Sequence, residues 1–105
     1  MTETVIERAH PARHAPVQVV LLPPAYSGPR DFVSAGFVAA LQRRSLDVDL
    51  TLGALEFGHV TDHSVVTRVL ADLVTPLRGR GAVWLGGISL GGYVALCCAA
   101  TGPRP

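Results

Sequence analysis

Residues 84–93 read Trp84-Leu85-Gly86-Gly87-Ile88-Ser89-Leu90-Gly91-Gly92-Tyr93. One hydroxyl sits among glycines at the point where an apolar run, Ala82-Val83-Trp84-Leu85, gives way to a run with helical character. Within the stretch, Gly87-Ile88-Ser89-Leu90-Gly91 has the spacing G-x-S-x-G. That spacing suits a sharp strand-to-helix turn that holds the serine in a strained backbone conformation, with hydrogen-sized side chains on either side letting strand and helix approach. Ser89 is therefore a candidate nucleophile, and the rest of the chain decides between that and a merely structural turn.

Downstream, an apolar helix is expected from about Leu90 to Ala100, stopped by Thr101-Gly102-Pro103. Upstream, Val66, Leu70, Leu73 and Leu77 give the buried stripe of a helix that Thr61 or Asp62 caps and Pro76 ends or bends. Before it, the loop from Gly53 to Val60 carries Glu56 and His59. Leu46-Asp47-Val48-Asp49-Leu50-Thr51-Leu52 alternates strictly, which predicts a half-buried strand at the margin of a sheet. A helix is expected over Pro29 to Arg44, with Val33, Phe37 and Leu41 on one face and Gly36 as its weak point. Val17-Gln18-Val19-Val20-Leu21-Leu22 reads as a strand covered on both faces and closed by Pro23-Pro24. Residues 1–16 lack periodicity and are expected to form a mobile lead-in. In it, His10 and His14 have helical metal-pair spacing, but Pro11 between them argues for solvent-exposed histidines.

Strand and helix thus alternate three times over residues 17–105, the pattern of one α/β domain with a three-layer architecture. If the alternating strand lies at the edge, three parallel strands take the spatial order 2-1-3, and a crevice opens between the carboxyl ends of the first and third. Ser89 follows the third strand and Ala25 the first, so both reach it. A serine attacking a carbonyl creates an oxyanion that needs preorganised N–H donors. The Leu90 N–H, at a helix start, is one candidate; Pro23 and Pro24 have no N–H, so Ala25 supplies the second, with Tyr26 as the fallback.

Composition sets the remaining bounds. The nine basic residues, all arginine, nearly balance eight acidic ones, and no basic run points to nucleic acid. Adjacent Cys97 and Cys98 read as small apolar helix residues in a reducing, cytoplasmic setting. The amino terminus has no apolar core of signal-peptide length. Residues 81–103 carry no charge, but their six glycines, at 81, 86, 87, 91, 92 and 102, favour a buried strand and helix over a membrane span. Neither a G-x-G-x-x-G nor a G-K-[ST] pattern occurs around the serine, so nucleotide binding is not expected, and no cofactor or metal is called for.

Leu22-Pro23-Pro24-Ala25-Tyr26 ahead of a helix, followed by Gly86-Gly87-Ile88-Ser89-Leu90-Gly91-Gly92 after a buried strand, resembles the amino-terminal half of an α/β-hydrolase over about residues 17–101. The resemblance implies Ser89 as nucleophile, Leu90 with Ala25 as oxyanion hole, and a small-molecule acyl substrate. The family order is serine, acid, histidine, yet no Asp, Glu or His follows Ser89. Using His59, His63, Asp62 or Glu56 instead would reverse that order. The expectation is a truncated hydrolase domain, inactive alone, whose third strand exposes an apolar edge open to self-association. The alternative expectation is a noncatalytic interaction module or inactive remnant that pairs through that edge.

Overall fold

The computed structural model describes residues 4–101. Four strands, β1 (Val5–Glu7), β2 (Val17–Leu22), β3 (Val48–Leu52) and β4 (Ala82–Gly87), form one sheet in the order β1-β3-β2-β4. Strand β2 pairs parallel with both β3 and β4, Val19 lying opposite Leu50 on one side and Trp84 on the other. Strand β1 pairs antiparallel with β3, Ile6 opposite Thr51. The expected sheet of three parallel strands in the order 2-1-3 is therefore corrected to a mixed, four-stranded one. The segment read as a lead-in supplies its outer strand, and β3 is internal.

That extra strand changes the meaning of the alternation in β3. Asp49 and Thr51, expected toward solvent, are only 3 % and 6 % exposed. Asp49 lies under the segment joining β1 to β2 and accepts hydrogen bonds from the Ala9 N–H (3.0 Å), the Ala15 N–H (3.0 Å) and Gln18 Nε2 (2.9 Å). Burial pushes its carboxyl pKa up, but these bonds, Gln18 foremost, and the charge of Arg8 outweigh burial and hold it below the ordinary value.

Helices α1 (Pro29–Ser34) and α2 (Phe37–Arg43) cover one face of the sheet. The single helix expected over 29–44 is split at Gly36, which adopts φ 92° and hinges the two pieces so that Phe32 and Phe37 meet edge to face at 5.2 Å. On the other face lie α3 (Phe57–Thr61), α4 (Val65–Val69) and α5 (Leu90–Thr101). Asp62 accepts from the Ser64 N–H rather than capping a helix that begins at its own position, and His63 (φ 65°) separates α3 from α4. Beyond α4 the helix widens to a π turn over Leu70–Val74 and tightens to a 3-10 turn over Thr75–Leu77. Pro76 is the reason, since it has no N–H for the α ladder. Val20 and Leu22 of β2, Val69, Leu73 and Leu77, and Val94 and Cys98 of α5 make the main core. The expected Gly102-Pro103 helix stop lies outside the described residues, among which no helix is long and apolar enough to cross a membrane.

Candidate active site

The turn between β4 and α5 is built by backbone contact. Ser89 adopts φ 56°, a left-handed conformation that costs a non-glycine residue about 1–2 kcal/mol. Gly87 lies against the backbone of Gly91 and Gly92, and Gly91 against the carbonyls of Leu22 and Pro23; a Cβ on either glycine would overlap those atoms. Hydrogen bonds from Ile88 N–H to Leu22 O (3.2 Å), Gly91 N–H to Ile88 O (3.0 Å) and Tyr93 N–H to Ser89 O (3.0 Å) lock the turn onto the end of β2. The G-x-S-x-G glycines are thus required by packing, and the serine is left exposed at the carboxyl end of the sheet.

The loop after β2 completes the same corner. Ser27 N–H donates to Pro24 O at 3.3 Å, closing a turn through Ala25 and Tyr26. Tyr26 has φ 63° and is 95 % exposed, so two of the four non-glycine residues with positive φ among the described residues, Tyr26 and Ser89, lie on the two loops that meet here. Backbone strain of this kind is held in place by surrounding structure and gathers at functional sites. Leu90, first residue of α5, has an N–H with no intrahelical acceptor and sits at the positive end of the helix dipole. The Ala25 N–H donates to no oxygen among the described residues. Beside this corner, Pro23, Pro24, Phe32, Phe37 and Ile88 line an apolar recess of about 160 Å³.

The upstream acid and base candidates make other contacts. His59 Nε2 contacts Glu56 Oε2 at 2.8 Å, and the two share a recess of about 70 Å³ with Arg68 and Asp72. Asp62 is held below its ordinary pKa by hydrogen bonds from the Ser64 hydroxyl and N–H. His63 is exposed. Among the described residues, no histidine or carboxylate hydrogen-bonds the Ser89 hydroxyl. His10 and His14 are exposed and engage Asp47 (3.7 Å) and Arg8 (3.2 Å) respectively. No group of three or more potential metal ligands gathers among the described residues. Among the described residues neither Cys97 nor Cys98 forms a disulfide; burial pushes the Cys98 thiol pKa up, as does neighbouring Cys97, so Cys98 is a packing residue.

Sequence reasoning expected an open edge on β4 but missed how bare α5 is beside it. Trp84 is 65 % exposed, Tyr93 65 %, Leu96 72 % and Ile88 47 %. The signal was present, since a helix apolar on all sides, as α5 is, is one that other structure covers on all sides. Comparison with family models, curated proteins and solved structures gives no match to the chain.

Proposed function

We propose that this chain is the nucleophile-bearing part of a serine hydrolase of the α/β-hydrolase type, acting on an ester, thioester or related acyl bond of a small molecule. One observation carries the reading. Ser89 sits at φ 56° in a turn pinned by Gly91 against Leu22 and Pro23, which brings the start of α5 against the loop that holds Ala25. In this reading Ser89 Oγ attacks the acyl carbon, and the Leu90 and Ala25 N–H groups, with Tyr26 as the fallback for Ala25, receive the oxyanion. The base that takes the hydroxyl proton, and the acid that orients that base, come from polypeptide outside these 105 residues. The chain alone is then inactive, because an unactivated serine is a weak nucleophile.

Chemical rescue tests this. A fluorophosphonate probe is expected to label Ser89 no more than the Ser89→Ala background in buffer, and to label it measurably once imidazole is supplied as a diffusible base. Equal labelling of Ser89→Ala in imidazole would sink the nucleophile assignment. Strong Ser89-dependent labelling without imidazole would show that a base already lies within the chain.

A second reading, a noncatalytic module that pairs through its sheet edge, is favoured by the open backbone of β4 and the exposed Trp84.

A further inference from the structure

The edge formed by β4 is self-complementary. Ala82 N–H donates to Pro16 O (3.0 Å) and Ile88 N–H to Leu22 O (3.2 Å), so the even-numbered residues of β4 turn their backbone groups toward β2. With a period of two, Val83, Leu85 and Gly87 turn theirs outward. Strand β4 ends the sheet, runs six residues, and contains no charge or proline to guard its edge. Its side chains divide cleanly. Val83 and Leu85 pack with Val94, Ala95 and Cys98, whereas Trp84 stands on the opposite face with Gly86, whose missing Cβ would lie 3.4 Å from Leu21.

We infer that two copies of this chain join their β4 edges antiparallel about a two-fold axis through Leu85, each Trp84 covering the partner's Gly86. This centring alone pairs all three outward-facing residues, Leu85 with Leu85 and Val83 with Gly87, each pair exchanging two backbone bonds for about six in all. Centring on Trp84 would oppose the two indoles and lose the Gly87 pair. Centring on Gly87 would drive Leu85 onto the partner's Ser89 turn. In the Leu85 register each indole meets a residue without a side chain, the arrangement by which aromatic side chains compensate glycines in sheets. The two Arg80 side chains fall at opposite ends of the paired strands, and residues 81–103 carry no charge, so no like charges are opposed. Because a two-fold interface uses one patch twice, such self-complementarity favours a second copy over an unrelated strand. The inference rests on the edge and not on the chemistry of Ser89.

The test reads the register directly. Trp84 and Gly86 would face each other in a non-hydrogen-bonded pair with Cα atoms about 4.5 Å apart, within disulfide range. In a Cys97→Ala, Cys98→Ala background, Trp84→Cys and Gly86→Cys chains are mixed under mild oxidation. The mixture is expected to give crosslinked heterodimer at least ~10-fold above the homodimer formed by either variant alone. Wild-type chain and Ser89→Ala should both sediment as a concentration-dependent dimer of the 11.0 kDa chain, and Trp84→Lys as a folded monomer. A wild-type chain monomeric up to ~100 µM, assembly beyond the dimer, or efficient crosslinking of Trp84→Cys with itself would overturn the proposal.

Discussion

Gly91, in the first turn of α5, lies against the carbonyl of Leu22 at the end of β2, so near that a Cβ would overlap it. This contact joins the serine turn to the loop holding Ala25, because the chain leaves β2 directly beneath the start of α5. Fold and candidate site therefore share one point of failure.

Gly91→Ala is accordingly expected to destabilise the chain by about 1–3 kcal/mol, since the obstructing atoms are backbone and cannot rotate away. Gly58→Ala, in open space within α3, should be neutral or stabilising by up to about 1 kcal/mol through helix propensity. Urea unfolding of the two variants decides it, and equal effects would remove the packing explanation for the glycine spacing.

What could be read from the residues follows the range of the forces involved. The runs 17–22 and 82–85 announced strands by their continuous apolar character, although only β2 is covered on both faces and Trp84 of β4 stands exposed, and the glycines around Ser89 announced a close backbone approach. Strand β1 was not legible. Val5-Ile6-Glu7 is too short to show a period, and only its long-range pairing with Leu50, Thr51 and Leu52 makes it a strand. The same pairing misdirected the reading of β3, where Asp49 looked solvent-facing until the Ala9–Ala15 segment folded over it. The site divided likewise: the Ser89 turn is local and was visible, whereas the distance between His59 and the serine depends on where α3 docks.

Ser89→Gly should raise stability by about 1 kcal/mol, because glycine adopts φ 56° without a Cβ clash. Ser89→Val should lower it by more than about 1 kcal/mol, a β-branched residue being the worst occupant of that region. Thermal unfolding of the pair checks whether the turn stores strain; a Ser89→Gly variant less stable than wild type would show that it does not.

His59→Ala is expected to leave imidazole-dependent labelling of Ser89 unchanged and to cost less than about 1 kcal/mol, the usual worth of a partly exposed polar side-chain pair. The pair with Glu56 occupies its own recess with Arg68 and Asp72 rather than the corner formed by Leu22, Ala25 and Leu90. Loss of labelling in this variant, with folding intact by circular dichroism, would make His59 a participant and reverse the proposed order of acid and base.

Asp49 sets the acid limb of stability. Its carboxylate accepts from two backbone N–H groups and from Gln18, and its folded pKa lies below the unfolded value of about 3.9. A depressed carboxyl contributes stability in full above the unfolded pKa and loses it as pH falls through the folded one. Wild-type chain should therefore weaken as pH drops below about 4, and Asp49→Asn should show a flatter acid limb. At pH 7, Asp49→Ala should cost about 2–4 kcal/mol, since Ala9, Ala15 and Gln18 lose their common acceptor beneath a segment that excludes water. Gln18→Leu should cost less, because it removes one donor and leaves Asp49 bonded to the backbone. Urea midpoints at pH 7 and pH 3 for the four chains test the order. If Asp49→Asn lost as much stability on acidification as wild type, the acid sensitivity would have to lie in another carboxylate.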